Sequence, residues 1–179
     1  MEKIKVAVNG YGVIGKRVAD AVMLQPDMEL AGVCDVATDW RIKVANTRDI
    51  SMYAFSYGAA EKMREAGITV TGVLDDLLKQ VDIVVDCAPK KYGAQNAERY
   101  RLAGVKFIVQ GGESHNTTGH SFVAEANYET AIGRTSTRVV SCNTTSIVRT
   151  LTALKRAGLL KSARGTLLRR ATDPWESHL

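Results

Sequence analysis

The sequence predicts an α/β fold: a doubly wound Rossmann-type parallel sheet, followed by the start of an α+β domain. Three observations carry this. Short apolar strands alternate with helical segments along most of the chain, the pattern of βαβ units and of a parallel sheet with helices on both faces. A glycine turn, Gly10-Tyr11-Gly12-Val13-Ile14-Gly15, joins the first strand to the first helix. An acid, Asp35, ends the second strand about 20 residues after Gly15, the distance seen in dinucleotide-binding units.

The elements follow in order. Residues 4–8 form an apolar run that reads as a buried strand, and Val13, Ile14, Val18, Ala21 and Val22 recur at helical spacing. Residues 30–34 are the second strand. Residues 40–46 are helix-compatible, and 59–66 form a helix closed by Gly67 in the position past a helix end. Residues 68–71 read as a β-branched strand. Asp75 and Asp76 open a short helix, where acids suit the first turn. Residues 81–85 are a buried parallel strand. A helix over 93–103, capped by Gly104, leads to a strand over 106–109 and then to Gln110-Gly111-Gly112-Glu113. A short helix over 127–132 and a strand over 137–140 precede the segment Ser141-Cys142-Asn143-Thr144-Thr145. A further helix carries Ile147, Val148, Leu151 and Leu154 on one stripe, with Gly158 beyond its end. Two domains are expected: residues 1–140, which bind a dinucleotide, and 141–179, which begin a second unit.

The totals narrow the function. The chain has 179 residues, 45% hydrophobic and 24% charged, as in an ordinary globular protein. A net charge of +5 suits a phosphorylated ligand, but aromatics are only 6% and the basic residues are scattered until the C-terminal segment, so nucleic acid is not expected. Cys34, Cys87 and Cys142 are widely spaced and form no C-x-x-C or Cys/His cluster. Neither a disulfide framework nor a metal site is expected, which fits a reducing, cytoplasmic location. The chain runs from Met1-Glu2-Lys3 straight into a strand, so no secretion signal is expected, and no apolar run is long enough to span a membrane.

Each glycine of the first turn has a physical task. Gly10 permits a tight turn, Gly12 lets backbone approach a pyrophosphate, and Gly15 lets the helix lie close on the sheet. The helix N-terminus then presents free N–H groups to the phosphates. A bare structural turn is the competing reading, and the strand, helix and Asp35 around it favour the dinucleotide. Gly111 and Gly112 also follow a strand and either approach a ligand or make a turn; Pro89 reads as a turn residue.

Cys142 falls at a strand-to-helix junction, where the helix dipole favours thiolate. Asn143, Thr144 and Thr145 add groups that cap the helix or hold an oxyanion. A buried structural cysteine beside an ordinary cap explains the same spacing, and both readings stand at this point. Cys34 and Cys87 read as packing residues. A nucleophilic cysteine beside a dinucleotide suggests aldehyde oxidation through a thioester.

These residues resemble a known family. Val8-Asn9-Gly10-Tyr11-Gly12 with Ile14-Gly15-Lys16-Arg17-Val18-Ala19-Asp20-Ala21, Asp82-Ile83-Val84-Val85-Asp86-Cys87, Gln110-Gly111-Gly112-Glu113, Val139-Val140-Ser141-Cys142-Asn143-Thr144-Thr145, and Arg169-Arg170-Ala171 with Asp173-Pro174 are similar to archaeal-type glyceraldehyde-3-phosphate dehydrogenase. The matches run in order from residue 4 to residue 174. The resemblance implies NAD(P)-dependent, phosphorylating oxidation of D-glyceraldehyde 3-phosphate to 1,3-bisphosphoglycerate by a cytoplasmic homotetramer in glycolysis or gluconeogenesis. It implies that Cys142 is the nucleophile, that Ser141 and Asn143 contact substrate, and that Val13, Ile14, Gly112 and Arg170 contact the dinucleotide. Many relatives carry a lysine where this chain has Asp35. An aspartate there should accept ribose hydroxyls and repel a 2′-phosphate, so NAD is expected over NADP, with Arg41 near enough to modulate this. The family's catalytic domain and general-base histidine extend past Leu179, so the resemblance implies a fragment that binds dinucleotide weakly and does not turn over. His115 and His120 read as loop or surface histidines, and residues 164–170 as a first strand of the second domain, an exposed edge. Two rival functions are a related thioester-forming semialdehyde dehydrogenase and a catalytically silent nucleotide-binding module.

Overall fold

A computed structural model describes residues 2–89 and 91–168. Among the described residues, eight strands form one sheet in the order β4-β3-β2-β1-β5-β6-β8-β7, and every neighbouring pair is parallel. The strands are β1 Ile4–Asn9, β2 Met28–Asp35, β3 Met52–Ala54, β4 Gly72–Val73, β5 Ile83–Asp86, β6 Lys106–Val109, β7 Ser121–Phe122 and β8 Ser136–Val139. The helices are α1 Val13–Met23, α2 Trp40–Thr47, α3 Tyr57–Glu65, α4 Leu74–Leu78, α5 Tyr92–Leu102, α6 Ala124–Asn127 and α7 Cys142–Arg156.

Two apolar clusters hold the sheet. One joins Val8, Tyr11 and Val33 to Ala19 of α1, Ile42 and Ala45 of α2, and Ala59, Ala60 and Met63 of α3. The other joins Ala7, Cys34, Val84 and Phe107 to Leu74, Leu77 and Leu78 of α4 and Ala97 and Tyr100 of α5. Helices thus cover both faces, as doubly wound sheets require. The chain leaves β1 toward β2, β3 and β4, then returns to the other side of β1 at β5. That reversal is a topological switch point, and ligands of such sheets gather beyond the carboxyl ends of the strands there.

Several expectations shift on contact with the structure. The strand expected at 68–71 is irregular, and pairing begins at Gly72, where Tyr53 and Ala54 of β3 supply partners. Ile68 is buried all the same, so its apolar signal reported burial rather than pairing. The helix expected at 127–132 is divided: α6 ends at Asn127 and a 3₁₀ turn spans Tyr128–Ala131. Residues 164–168 carry no strand, for no neighbouring strand pairs with them among the described residues. Strands β3 and β7 are too short to have shown a period. No described helix is long and apolar enough to cross a membrane.

Candidate functional site

The glycine turn sits at the switch point. Gly10 has φ +91° and donates its N–H to Cys34 O at 2.7 Å. A Cβ on Gly10 would lie 2.8 Å from Ala88 N, so the turn after β1 touches the turn after β5. A Cβ on Gly15 would lie 1.8 Å from Gly10 O, which leaves no other residue at that place. Gly12 differs. It is the extended N-cap of α1, no side chain caps the helix, and a Cβ there would meet nothing within 4 Å. Val13 and Ile14 follow it, 46% and 49% exposed. An uncapped helix N-terminus with open space before it fits an anionic group such as a pyrophosphate.

Asp35 borders the same turn. Its Oδ2 accepts from Tyr11 N at 2.7 Å, and its Oδ1 from Val36 N and Ala37 N at 2.7 and 2.9 Å. Three of the four lone-pair positions of a carboxylate are thereby used, so Asp35 has room for one more donor while it anchors the turn. Arg41, the nearby cation, is paired with Asp39 at 2.5 Å.

Behind the crevice lies a buried polar network that sequence reasoning did not find. Asp86 Oδ2 accepts from Tyr100 Oη (2.6 Å), Asn96 Nδ2 (2.8 Å) and Asn9 Nδ2 (3.2 Å), while Oδ1 accepts from Ala88 N. All four side chains are buried. Burial and the Asp86 charge push the Tyr100 phenol far above its ordinary pKa. The network ties the ends of β1 and β5 to α5, and so sets where Cys87 and Ala88 stand against Gly10. The only hint in the sequence was an acid closing the apolar run Ile83-Val84-Val85.

After β6, Gly111 and Gly112 close the next turn. A Cβ on Gly111 would lie 2.3 Å from Ala88 O, and Gly112 is exposed with φ +95°. The first glycine therefore answers to another strand-end turn, and the second to its backbone conformation. Glu113 follows, 6% exposed, and neither carboxyl oxygen has a hydrogen-bond partner among the described residues. Burial pushes its pKa above the usual carboxyl value.

Cys142 is exposed and is the first residue of α7. Ser141 is the N-cap: its Oγ accepts from Thr144 N at 3.2 Å and pairs with Thr144 Oγ1 at 2.9 Å. Cys142 Sγ lies 4.0 Å from Asn143 Oδ1. The other two cysteines differ in kind. Burial pushes the Cys34 thiol far up and the Cys87 thiol to about 12, which leaves both as inert thiols at neutral pH.

His115 is exposed, as expected. His120 is not a surface histidine: it is buried and bridges Thr137 Oγ1 (2.6 Å) and Thr130 Oγ1 (2.8 Å). The Thr130 hydroxyl donates to Asn127 O, so its oxygen accepts from Nε2–H, and the assigned tautomer leaves Nδ1 to accept from Thr137. Loop composition hid this, because its partners come from β8 and from the 3₁₀ turn. Arg170 lies outside the described residues. No group of metal-ligating side chains occurs among the described residues. A cavity of about 710 Å³, lined by Lys5, Lys79, Asp82 and Lys106 among others, opens at the amino ends of the strands, the end opposite to ligands in such sheets.

The comparisons with known proteins bear on this arrangement. The family model described as dihydrodipicolinate reductase, N-terminus, matches residues 4–144. The chain belongs to that family. Its α/β architecture is the Rossmann-like fold of nicotinamide-dinucleotide-binding dehydrogenase domains, and the glycine turn and switch point lie within the matched span. Among curated proteins, the chain is 49% identical over 176 residues to glyceraldehyde-3-phosphate dehydrogenase of Methanococcoides burtonii, and 48% identical over 177 residues to that of Archaeoglobus fulgidus. These matches cover 97% and 98% of this chain and 52% of each relative. The chain therefore spans about half the length of the curated relatives it matches. Among solved structures, aspartate semialdehyde dehydrogenase II of Vibrio cholerae superposes with a TM-score of 0.58 at 17% identity, over 87% of this chain and 47% of that one. Apo scyllo-inositol dehydrogenase of Lactobacillus casei gives 0.52 at 14%, over 88% and 40%. At these identities the likeness is one of fold.

Proposed function

We propose that this chain carries the dinucleotide-binding part and the nucleophile of a phosphorylating glyceraldehyde-3-phosphate dehydrogenase. The observation that carries the reading is Cys142: an exposed cysteine at the first position of α7, beyond the carboxyl end of β8, in the sheet whose switch point holds the glycine turn. Relatives of that name at 45–49% identity along nearly the whole chain support it.

Each residue then has a role. The N-terminal amides of α1 bind the pyrophosphate, reached past Gly12 between Gly10 and Gly15, with Val13 and Ile14 alongside. Gly112 borders the nicotinamide end, and Arg170 is a further contact outside the described residues. Asp35 takes one ribose hydroxyl with its remaining lone pair, and its charge disfavours a 2′-phosphate, so NAD is preferred to NADP. Bound nicotinamide supplies a hydride acceptor. The Cys142 thiolate attacks the aldehyde carbon to give a hemithioacetal; Ser141 and Asn143 flank the substrate. Loss of hydride from that carbon leaves a thioester on Sγ. Inorganic phosphate attacks the thioester carbonyl and releases the acyl phosphate, returning the thiolate. The assembly is a cytoplasmic homotetramer in this reading.

The test starts from binding and thiol chemistry. NAD is expected to bind the chain, and iodoacetamide to alkylate Cys142 well before Cys34 or Cys87, read by peptide mass. Asp35→Lys should move the ratio of NAD to NADP affinity toward NADP. It should also weaken both, since Tyr11, Val36 and Ala37 lose their acceptor. Absence of dinucleotide binding, or equal alkylation of all three thiols, overturns the reading.

A further inference from the structure

The glycines at 93 and 111 pose a question that the dinucleotide reading leaves unanswered. Gly93 lies in the first turn of α5, and a Cβ there would sit 2.3 Å from Glu113 Oε1 and 2.7 Å from its carboxyl carbon. A Cβ on Gly111 would sit 3.0 Å from the same oxygen. Neither position faces a ligand through that missing Cβ. Gly93 is hollowed out around the Glu113 side chain, and Gly111, pressed first against Ala88 O, borders the same side chain. That side chain is buried and neither oxygen has a partner among the described residues, although such groups ordinarily find one. Its main chain is held from the other side: Arg138 donates from Nη1 to Glu113 O at 2.7 Å and from Nε to Ser121 Oγ at 2.8 Å.

The first turn of α5 has its own peculiarity. Its N-cap, Lys91, has φ +86°, which is strained for a residue other than glycine, and no side chain caps the helix. Something must hold this turn in place. Glu113 is the group packed on it.

We propose that Glu113 is a positioning residue for the dinucleotide: its buried carboxyl group clamps the turn after β6 onto the first turn of α5, and this clamp sets the wall of the crevice at the nicotinamide end. This inference rests on the dinucleotide reading above. The clamp works as a neutral acid. An unpartnered carboxylate in that notch would be far costlier than the protonated form. Burial is the main cause that favours the proton; the backbone N–H groups of Glu113 and Gly111 and the Arg138 guanidinium of β8 oppose it, the Asp86 carboxylate of β5 adds to it, and the net direction is up. When the group ionises it must leave the notch for water, and the two turns separate.

The sign follows. Dinucleotide affinity should be highest where Glu113 is protonated and should fall as pH rises through its raised pKa. Calorimetric titration of this chain with NAD between about pH 5 and about pH 9 reads the total fall in affinity, about tenfold for each unit by which NAD raises the Glu113 pKa. Glu113→Gln keeps shape and neutrality, so its affinity should match the low-pH value of the parent and not vary with pH. Glu113→Ala should bind several-fold more weakly at every pH. Amide exchange at residues 91–94 supplies a readout free of ligand: slow at low pH in the parent, slow throughout in Glu113→Gln. A pH slope shared by parent and Glu113→Gln, with exchange that does not respond to either, overturns the clamp. If no variant binds NAD while exchange follows the expected pattern, the clamp stands and the dinucleotide reading fails. If Glu113→Ala does not fold, the parent and Glu113→Gln series decide the matter.

Discussion

The two ends of the chain are held by different means. From β1 to β6, helices are fastened by burial: α1 buries Gly15, Ala19 and Val22, and α5 buries Gly93, Asn96, Ala97 and Tyr100. Beyond Val123, Thr137 is the sole buried residue among the described residues, and α7 buries none. Each fully buried aliphatic or aromatic side chain contributes about 1.5–3 kcal/mol, which the Cys142 helix lacks. It relies on the Ser141 cap and on Arg149, which pairs with Glu125 at 2.7 Å. The glycine turn is thus set in a rigid frame. The cysteine is set on a helix placed by a few polar contacts, its stripe of Ile147, Val148, Leu151 and Leu154 only partly buried. The lesson is that one site can combine a preformed cofactor cradle with a nucleophile whose position rests on local capping.

Substitutions can break or sharpen that contrast. The largest effect is expected from Asp86→Ala, which strands Asn96, Tyr100 and the Ala88 N–H without an acceptor; at roughly 1–3 kcal/mol per orphaned group, urea unfolding should show a loss of at least about 3 kcal/mol. Gly15→Ala comes next. Its Cβ meets Gly10 O at 1.8 Å, and overpacking of this kind costs about 1–3 kcal/mol, with loss of NAD binding read in the same sample. Ser141→Ala removes only a cap, about 1 kcal/mol, and should appear as faster exchange in α7 while global stability barely moves. If Ser141→Ala costs as much as Asp86→Ala, the contrast between the two ends is wrong.

The smallest effect belongs to His120, the polar anchor of β8. Burial, with Arg134 and His115 nearby, lowers its pKa below the ordinary 6.5. A depressed histidine pKa means the unfolded chain binds the proton more readily. Stability should therefore be complete above about pH 6.5 and decline as pH falls toward the folded-state value. His120→Gln should flatten that part of the stability curve, measured by thermal melts across pH.

The elements carrying regular apolar periods could be read from sequence, and so could the glycine turn. β6 matches its expected bounds residue for residue, α2 runs one residue past its expected end, and α1 contains all five of the residues read at helical spacing. The polar groups resisted. Asp86, Asn96 and Tyr100 come from different elements, and nothing in their spacing says that they share one hydrogen-bond centre. His120 looked like a loop histidine because its partners arrive from elsewhere. Glu113 sat in plain view after two glycines, yet its burial depends on Gly93, twenty positions away.

By itself, then, the sequence determined the strands and helices that carry a regular apolar period, where the chain must turn with glycine, and which cysteine stands at a helix start. These are matters of local periodicity, backbone freedom and capping. Tertiary structure alone decided that Asp35 spends most of its lone pairs on its own turn, that His120 is buried between two threonine hydroxyls, and that the Glu113 side chain packs against Gly93. Those outcomes depend on which backbones approach one another across the switch point, and no local pattern records that distance.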